Sequence, residues 1–137
     1  KKYHTVLTKN AGFNVFPTGG YLQRIIRLHL KEKMDTASLE KLIQNFIKKN
    51  QNAEDMLNRT AYEFLKTNSK KGLYYLKLNT KLFPKSANTW DSLGEYYENK
   101  KLHSEAIKAY TKAVSVAKKY FHTNTISFEK NLARVKK

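Results

Sequence analysis

The chain contains no cysteine, which removes disulfides and thiolate chemistry and leaves the redox compartment open. Acidic side chains are scarce, 11 against 27 Lys+Arg, giving a net charge of +16 over 137 residues. No apolar run approaches the roughly 20 residues of a membrane-spanning helix. Tryptophan occurs once and proline twice, so Trp90, Pro17 and Pro84 each mark a place. The first residue is Lys1 rather than methionine, so the chain is expected to be a fragment or a processed product. The lack of a leader sequence therefore says nothing about compartment. The length suits one domain with a modest core.

A charge of this size points first to nucleic acid or another anionic surface. Its composition argues otherwise. There are 23 Lys and only 4 Arg, with 12 Asn, 9 Tyr and 7 Phe, a mixture that AT-rich coding also produces. Base readout and bidentate phosphate contacts favour Arg. The lysines are scattered rather than striped, and pairs such as Lys48/Lys49, Lys100/Lys101 and Lys118/Lys119 fall at expected helix ends, where they suit the dipole. Nucleic-acid binding is accordingly kept only as a secondary alternative.

Residues 1–20 read as a short extended segment: the β-prone run Tyr3–Thr8, turn chemistry at Lys9–Gly12, a second run Phe13–Phe16 and a break at Pro17–Gly20. Residues 21–52 read as two leading helices. The first carries Leu22, Ile25, Ile26 and His29 on one face; the second is capped at Asp35–Thr36 and carries Leu39, Leu42, Ile43, Phe46 and Ile47. A third helix opens near Asn52 with Glu54 and Asp55 in its first turn, with Met56, Leu57, Ala61, Phe64 and Leu65 as its inward side. A turn at Thr67–Lys70 leads to a helix through Leu73, Leu76 and Thr80 that stops at Phe83–Pro84.

The most informative stretch runs from Ala87 to Tyr120. Trp90, Leu93 and Tyr97 fall at i, i+3 and i+7 of one helical face, with Gly94 among them. A helical glycine costs about 1 kcal/mol, which close approach of a partner helix would offset. Ile107, Tyr110 and Val114 form a facing stripe, with Ala106 and Ala113 as small contact points, and Asn99–Lys101 is the polar turn between. These residues match the tetratricopeptide pattern W-x2-L-G-x2-Y…A-x3-F at Trp90, Leu93, Gly94, Tyr97, Ala106 and Tyr110, with Ala113 following, and residues 53–120 resemble two such repeats. The first is the weaker copy: Leu57, Thr60, Ala61 and Phe64 stand opposite Trp90, Leu93, Gly94 and Tyr97, and its inner turn is one residue shorter. Residues 121–137, with Phe128, Leu132 and Val135 inward, have the place of a solvating cap. The expected fold class is all-α: about two helical-hairpin repeats plus a C-terminal capping helix.

A narrower likeness rests on Leu57–Arg59, Leu76–Asn79, Phe83–Asn88 and Asp91–Glu95. These segments are similar to the repeat tail that follows the catalytic domain of bacterial β-lactamase-like or esterase-type serine hydrolases. The resemblance implies a bacterial accessory domain, cytoplasmic or periplasmic, with the hydrolase domain upstream of Lys1 and the catalytic nucleophile in it.

Within this chain no catalytic, cofactor or metal residue is assigned. Ser-x-x-Lys occurs at Ser38/Lys41, Ser115/Lys118 and Ser127/Lys130, but 7 Ser and 23 Lys in this length give about one such pair by chance, and the accompanying Lys-Thr-Gly is missing. His4, His29, His103 and His122 are too dispersed for a metal set. What remains is a face. In tetratricopeptide hairpins the first helices line a concave groove, which the resemblance places at Asn88, Asp91, Glu95 and Glu98, with Asp55, Asn58 and Tyr62 from the weaker repeat. Asp91, Glu95 and Glu98 run i, i+4, i+7 and are three of the 11 acids. The chain is therefore expected to be a non-catalytic interaction or scaffold module whose groove takes a basic protein or peptide segment, including an upstream domain of the same polypeptide.

Overall fold

The computed structural model describes residues 35–137, and all their regular structure is helical: α1 (Thr36–Lys49), α2 (Ala53–Leu65), α3 (Ser69–Leu82), α4 (Ala87–Asn99), α5 (His103–Lys119) and α6 (Thr125–Lys136). The extended run expected at 1–20 and the helix expected at 21–33 lie outside the described residues. The chain divides into two compact units, Lys1–Leu57 and Asn58–Lys137, with the boundary inside α2.

In the first unit, α1 starts where Asp35 accepts the Ser38 N–H at 2.8 Å and the Ser38 hydroxyl at 3.0 Å. These bonds hold the Asp35 carboxyl below its ordinary value and satisfy a donor that the helix leaves unpaired. Leu39, Leu42, Ile43 and Phe46 form the buried stripe, at the i, i+3, i+4, i+7 spacing of an amphipathic helix. Lys48 and Lys49 close the last turn, and the Asn50 amide donates to the Phe46 carbonyl at 2.8 Å.

The second unit is a run of antiparallel helices. The Asn68 side chain accepts from the Lys71 N–H at 3.1 Å, so α3 begins at Ser69 and the turn expected through Lys70 is two residues shorter. An Asn at this position competes for backbone donors and starts the helix earlier than turn composition suggests. Phe64 of α2 stacks on Tyr75 of α3 with ring centroids 5.6 Å apart. Gly72 is the close-approach point of this pair: a Cβ there would overlap the Leu65 side chain and lie 2.9 Å from its backbone nitrogen.

Helix α5 is the middle of the next layer, packed on one side by α4 and on the other by α6. Its buried face is Ala106, Ala109, Tyr110, Ala113, Val116 and Ala117, whereas Ile107 and Val114 are only half-buried. The sequence reading centred this stripe on the large residues. Four alanines at its middle let two neighbouring helices come close to one rod. One cluster joins Ala87, Ala113, Val116, Ala117 and Phe128, with Trp90 and Val114 at its margin; a second joins Ala106, Tyr110 and Val135, flanked by Tyr97, Ile107 and Leu132. Phe128, Leu132 and Val135 thus face inward from α6, as their spacing predicts.

Gly94 is buried in α4, and a Cβ there would lie 2.6 and 2.7 Å from Cδ1 and Cε1 of Tyr110. The close approach expected at this glycine is present, and its partner is an aromatic ring. Trp90 departs from expectation. It is half-buried rather than enclosed, with Lys112 Nζ 5.8 Å from the ring centroid, and its indole N–H is shut off from solvent without a hydrogen-bond partner. The indole sits at the edge of the first cluster because small residues already fill its centre.

Gly94→Ala should lower stability by about 1–2 kcal/mol despite alanine's better helix propensity, and Gly94→Leu should lower it further, because the enclosed Tyr110 ring cannot retreat. Urea unfolding measures both, and equal midpoints for the two variants would place residue 94 on the surface. Trp90→Phe should cost under about 1 kcal/mol, since it keeps an aromatic ring and removes an unsatisfied donor, against about 3 kcal/mol for Trp90→Ala.

Candidate binding face

The acids singled out in the sequence lie on α4, and two neighbouring helices reach them. From α2, the Tyr62 hydroxyl donates to Glu95 Oε1 at 2.7 Å. From α6, the Asn131 amide donates to Asp91 Oδ1 at 2.8 Å. Arg134 grips Glu98 with both arms of its fork, Nε to Oε2 at 2.9 Å and Nη2 to Oε1 at 2.6 Å. Its Nη1 also donates to Asn131 Oδ1 at 2.8 Å, tying the two α6 residues together. Three helices are therefore laced side by side along one polar seam.

Tyr110 links this seam to the interior. Its ring covers Gly94, its hydroxyl donates to Glu98 Oε1 at 2.8 Å, and the Arg134 guanidinium stands 6.0 Å from its ring centroid. Burial, then the bond to Glu98, pushes the Tyr110 phenol above its ordinary value. The Tyr62 phenol moves the same way, through burial first and Glu95 second.

The carboxyls of the two α6-linked acids are shifted in opposite directions. Hydrogen bonds from Arg134, aided by Tyr110, hold the Glu98 carboxyl down to about 2. Burial pushes Asp91 above the ordinary carboxylate value; the Asn131 bond opposes this, while Glu95 and Glu98 reinforce it. An amide donor stabilises a carboxylate less than a guanidinium fork does, so the Asn131 bond does not cancel the effect of burial on Asp91.

The remaining positions are distributed differently. Asn88 and Glu95 are exposed, and Asn58 is half-buried, with its Oδ1 enclosed and lacking a hydrogen-bond partner. Asp55 belongs to the first unit, exposed in the first turn of α2. Ser38, of the Ser-x-x-Lys pairs, spends its hydroxyl on Asp35. Among the described residues no three His, Asp or Glu side chains group as a metal site.

Sequence reasoning gave α6 only a solvating part and missed Asn131 and Arg134. A signal existed: Arg134 is one of four arginines among 23 lysines, and a planar fork is what a bidentate carboxylate partner requires.

Compared with known proteins, the chain matches no family model and no curated protein.

Neutralising Glu98 should destabilise, whereas neutralising Asp91 should not. Glu98→Gln loses the charge-assisted fork and should cost about 1–2 kcal/mol, toward the low end because Arg134 is half in solvent. Asp91→Asn removes a desolvated charge and keeps an acceptor for Asn131, so it should leave the melting temperature at pH 7 equal or higher. The depressed Glu98 carboxyl contributes stability that is complete above its ordinary value of 4.5 and lost as pH falls toward about 2. Thermal melts from pH 6 to pH 2 should lose that part of their slope in Glu98→Gln. An unchanged acid slope would show that the fork is not formed in solution.

Proposed function

We propose that this chain is a non-catalytic interaction module of tetratricopeptide-like helical hairpins, and that the polar face of α4 takes a basic protein or peptide segment. The repeat reading draws support from burial that agrees at three of the four paired places in two helices, all but Leu57 against Trp90. Leu57, Thr60 and Ala61 of α2 are buried and Phe64 is half-buried; at the corresponding places of α4, Leu93 and Gly94 are buried and Trp90 and Tyr97 half-buried. It also draws support from the order of the helices, since the seam joins the first helices of successive hairpins to the closing helix.

One observation carries the choice of partner. Three carboxylates, Asp91, Glu95 and Glu98, share this seam with the Arg134 guanidinium, in a chain of net charge +16. The chain's own closing helix satisfies Glu98 and part of Asp91. Glu95 remains exposed and among the described residues accepts from a neutral phenol, with the exposed Asn88 about two helical turns before it on α4. A cationic segment laid along α4 would meet local negative potential there and repulsion over most of the remaining surface, and such a contrast confers selectivity of site more than raw affinity.

Fluorescence polarisation with lysine-rich and glutamate-rich extended peptides tests this. The lysine-rich peptide should bind and the glutamate-rich one should bind no better at this face, and Glu95→Lys should weaken the lysine-rich peptide about tenfold, less at high salt. Glu95 suits the test better than Asp91 or Glu98, which also hold α6 in place. Equal affinity of Glu95→Lys and the parent for the lysine-rich peptide would remove the assignment.

A further inference from the structure

Helices α4 and α5 end in the same way. After α4, the Leu102 N–H reaches back to the Tyr97 carbonyl at 2.9 Å across Lys101, whose φ is 60°; after α5, the His122 N–H reaches the Ala117 carbonyl at 2.9 Å across Phe121, whose φ is 56°. This six-to-one closure normally places glycine at the left-handed position, because a side chain there crowds the backbone. A lysine at residue 101 can at least extend into water. Phe121 also extends into water, 90% exposed, where an apolar ring gains nothing. The residue is thus unfavourable at its position both for its backbone and for its ring, and a strained outlier of this kind points to a role outside the fold.

Its surroundings indicate which role. Ile126, in the first turn of α6, is 68% exposed, and Tyr120 is also exposed. Cations gather around them. Lys119 Nζ and Lys85 Nζ lie 5.5 and 5.7 Å from the Tyr120 ring centroid. Lys85 comes from the α3–α4 connection, which is held against the α5–α6 turn by a 3.0 Å hydrogen bond between His122 Nε2 and the Lys85 carbonyl. Lys130 follows Ile126 by one helical turn and is exposed. Lys118 is partly neutralised by Glu129, 3.3 Å away.

We propose that this end of the second unit is a membrane-surface contact, in which Phe121 and Ile126 enter the headgroup region of an anionic bilayer while Lys85, Lys119 and Lys130 face its phosphates. Shape and charge select this occupant. A side chain exposed as fully as Phe121 lines no concavity, so a rigid protein partner would have to bring the whole pocket with it. A bilayer interface accepts a single protruding aromatic without one and rewards adjacent lysines electrostatically. A nucleic-acid strand would use the rings by stacking, but it has no use for Ile126. The contact is peripheral: among the described residues no helix is long and apolar enough to cross a membrane.

The test is co-sedimentation of the full chain with phosphatidylcholine vesicles and with vesicles of phosphatidylcholine and phosphatidylserine in equal parts. Phe121→Gly relieves the left-handed strain, so it should melt higher than the parent yet partition about tenfold less onto the anionic vesicles. Lys101→Gly should gain thermal stability in the same way and bind as the parent does. Lys119→Glu should weaken binding about fivefold or more. Opposite signs in melting temperature and partitioning for Phe121→Gly separate the contact from folding. Parent-like vesicle binding by Phe121→Gly would overturn the proposal. So would equal binding to the neutral vesicles, or Phe121-dependent binding to a single-stranded oligonucleotide in place of vesicles.

Discussion

Tyr110 can lie flat against α4 only because residue 94 has no side chain. A methyl group at Gly94 would fall 2.6 Å from the ring, well inside van der Waals contact, so α4 and α5 would have to separate or the ring would have to leave. The ring has nowhere to go. It is 1% exposed, shares a cluster with Ala106 and Val135, and its hydroxyl is committed to Glu98. Much of the second unit depends on that contact. Glu98 is the acid that Arg134 clasps, so the position of the phenol sets the anchor point for α6, and α6 then completes the apolar clusters with Phe128 and Val135.

The two hairpins of this unit meet the same packing demand from opposite sides. In the later pair the glycine is on the first helix and a tyrosine from the second fills the gap. In the earlier pair Gly72 is on the second helix and Leu65 of the first lies over it. Close approach is needed in both, and which helix of the hairpin carries the glycine differs between them. In the earlier pair Ala61 needs no glycine's clearance, because Gly72 provides it on the facing helix.

That exchange also explains what could be read without coordinates. Helical periodicity and turn chemistry located every described helix, because Leu39, Leu42, Ile43 and Phe46, or Phe128, Leu132 and Val135, each carry their own spacing. Gly94 was readable as a contact point since nothing else justifies glycine amid an apolar stripe. Its partner was not, because Tyr110 shares a face with Ile107 and Val114 and periodicity cannot rank them. The margin position of Trp90 was hidden for a related reason: the alanines of α5 leave little volume to fill, and volume is a property of three helices together. Of the acidic face, the line Asp91, Glu95, Glu98 follows from one helix's geometry. Its pairing with Tyr62, Asn131 and Arg134 depends on neighbours 33 to 40 residues distant, which no local pattern encodes. The left-handed turns at Lys101 and Phe121 were equally invisible, since neither position carries the glycine that usually announces them.

The dependence of α4 on the Tyr110 ring is open to a double-mutant cycle read by urea unfolding, with Gly94→Ala introduced into the parent and into Tyr110→Ala. With the ring present the added methyl group should destabilise. With the ring gone only helix propensity remains, and the same substitution should stabilise by about 1 kcal/mol. A change of sign between the two backgrounds is the outcome this account requires. The same loss in both would mean that something other than the tyrosine excludes a side chain at residue 94.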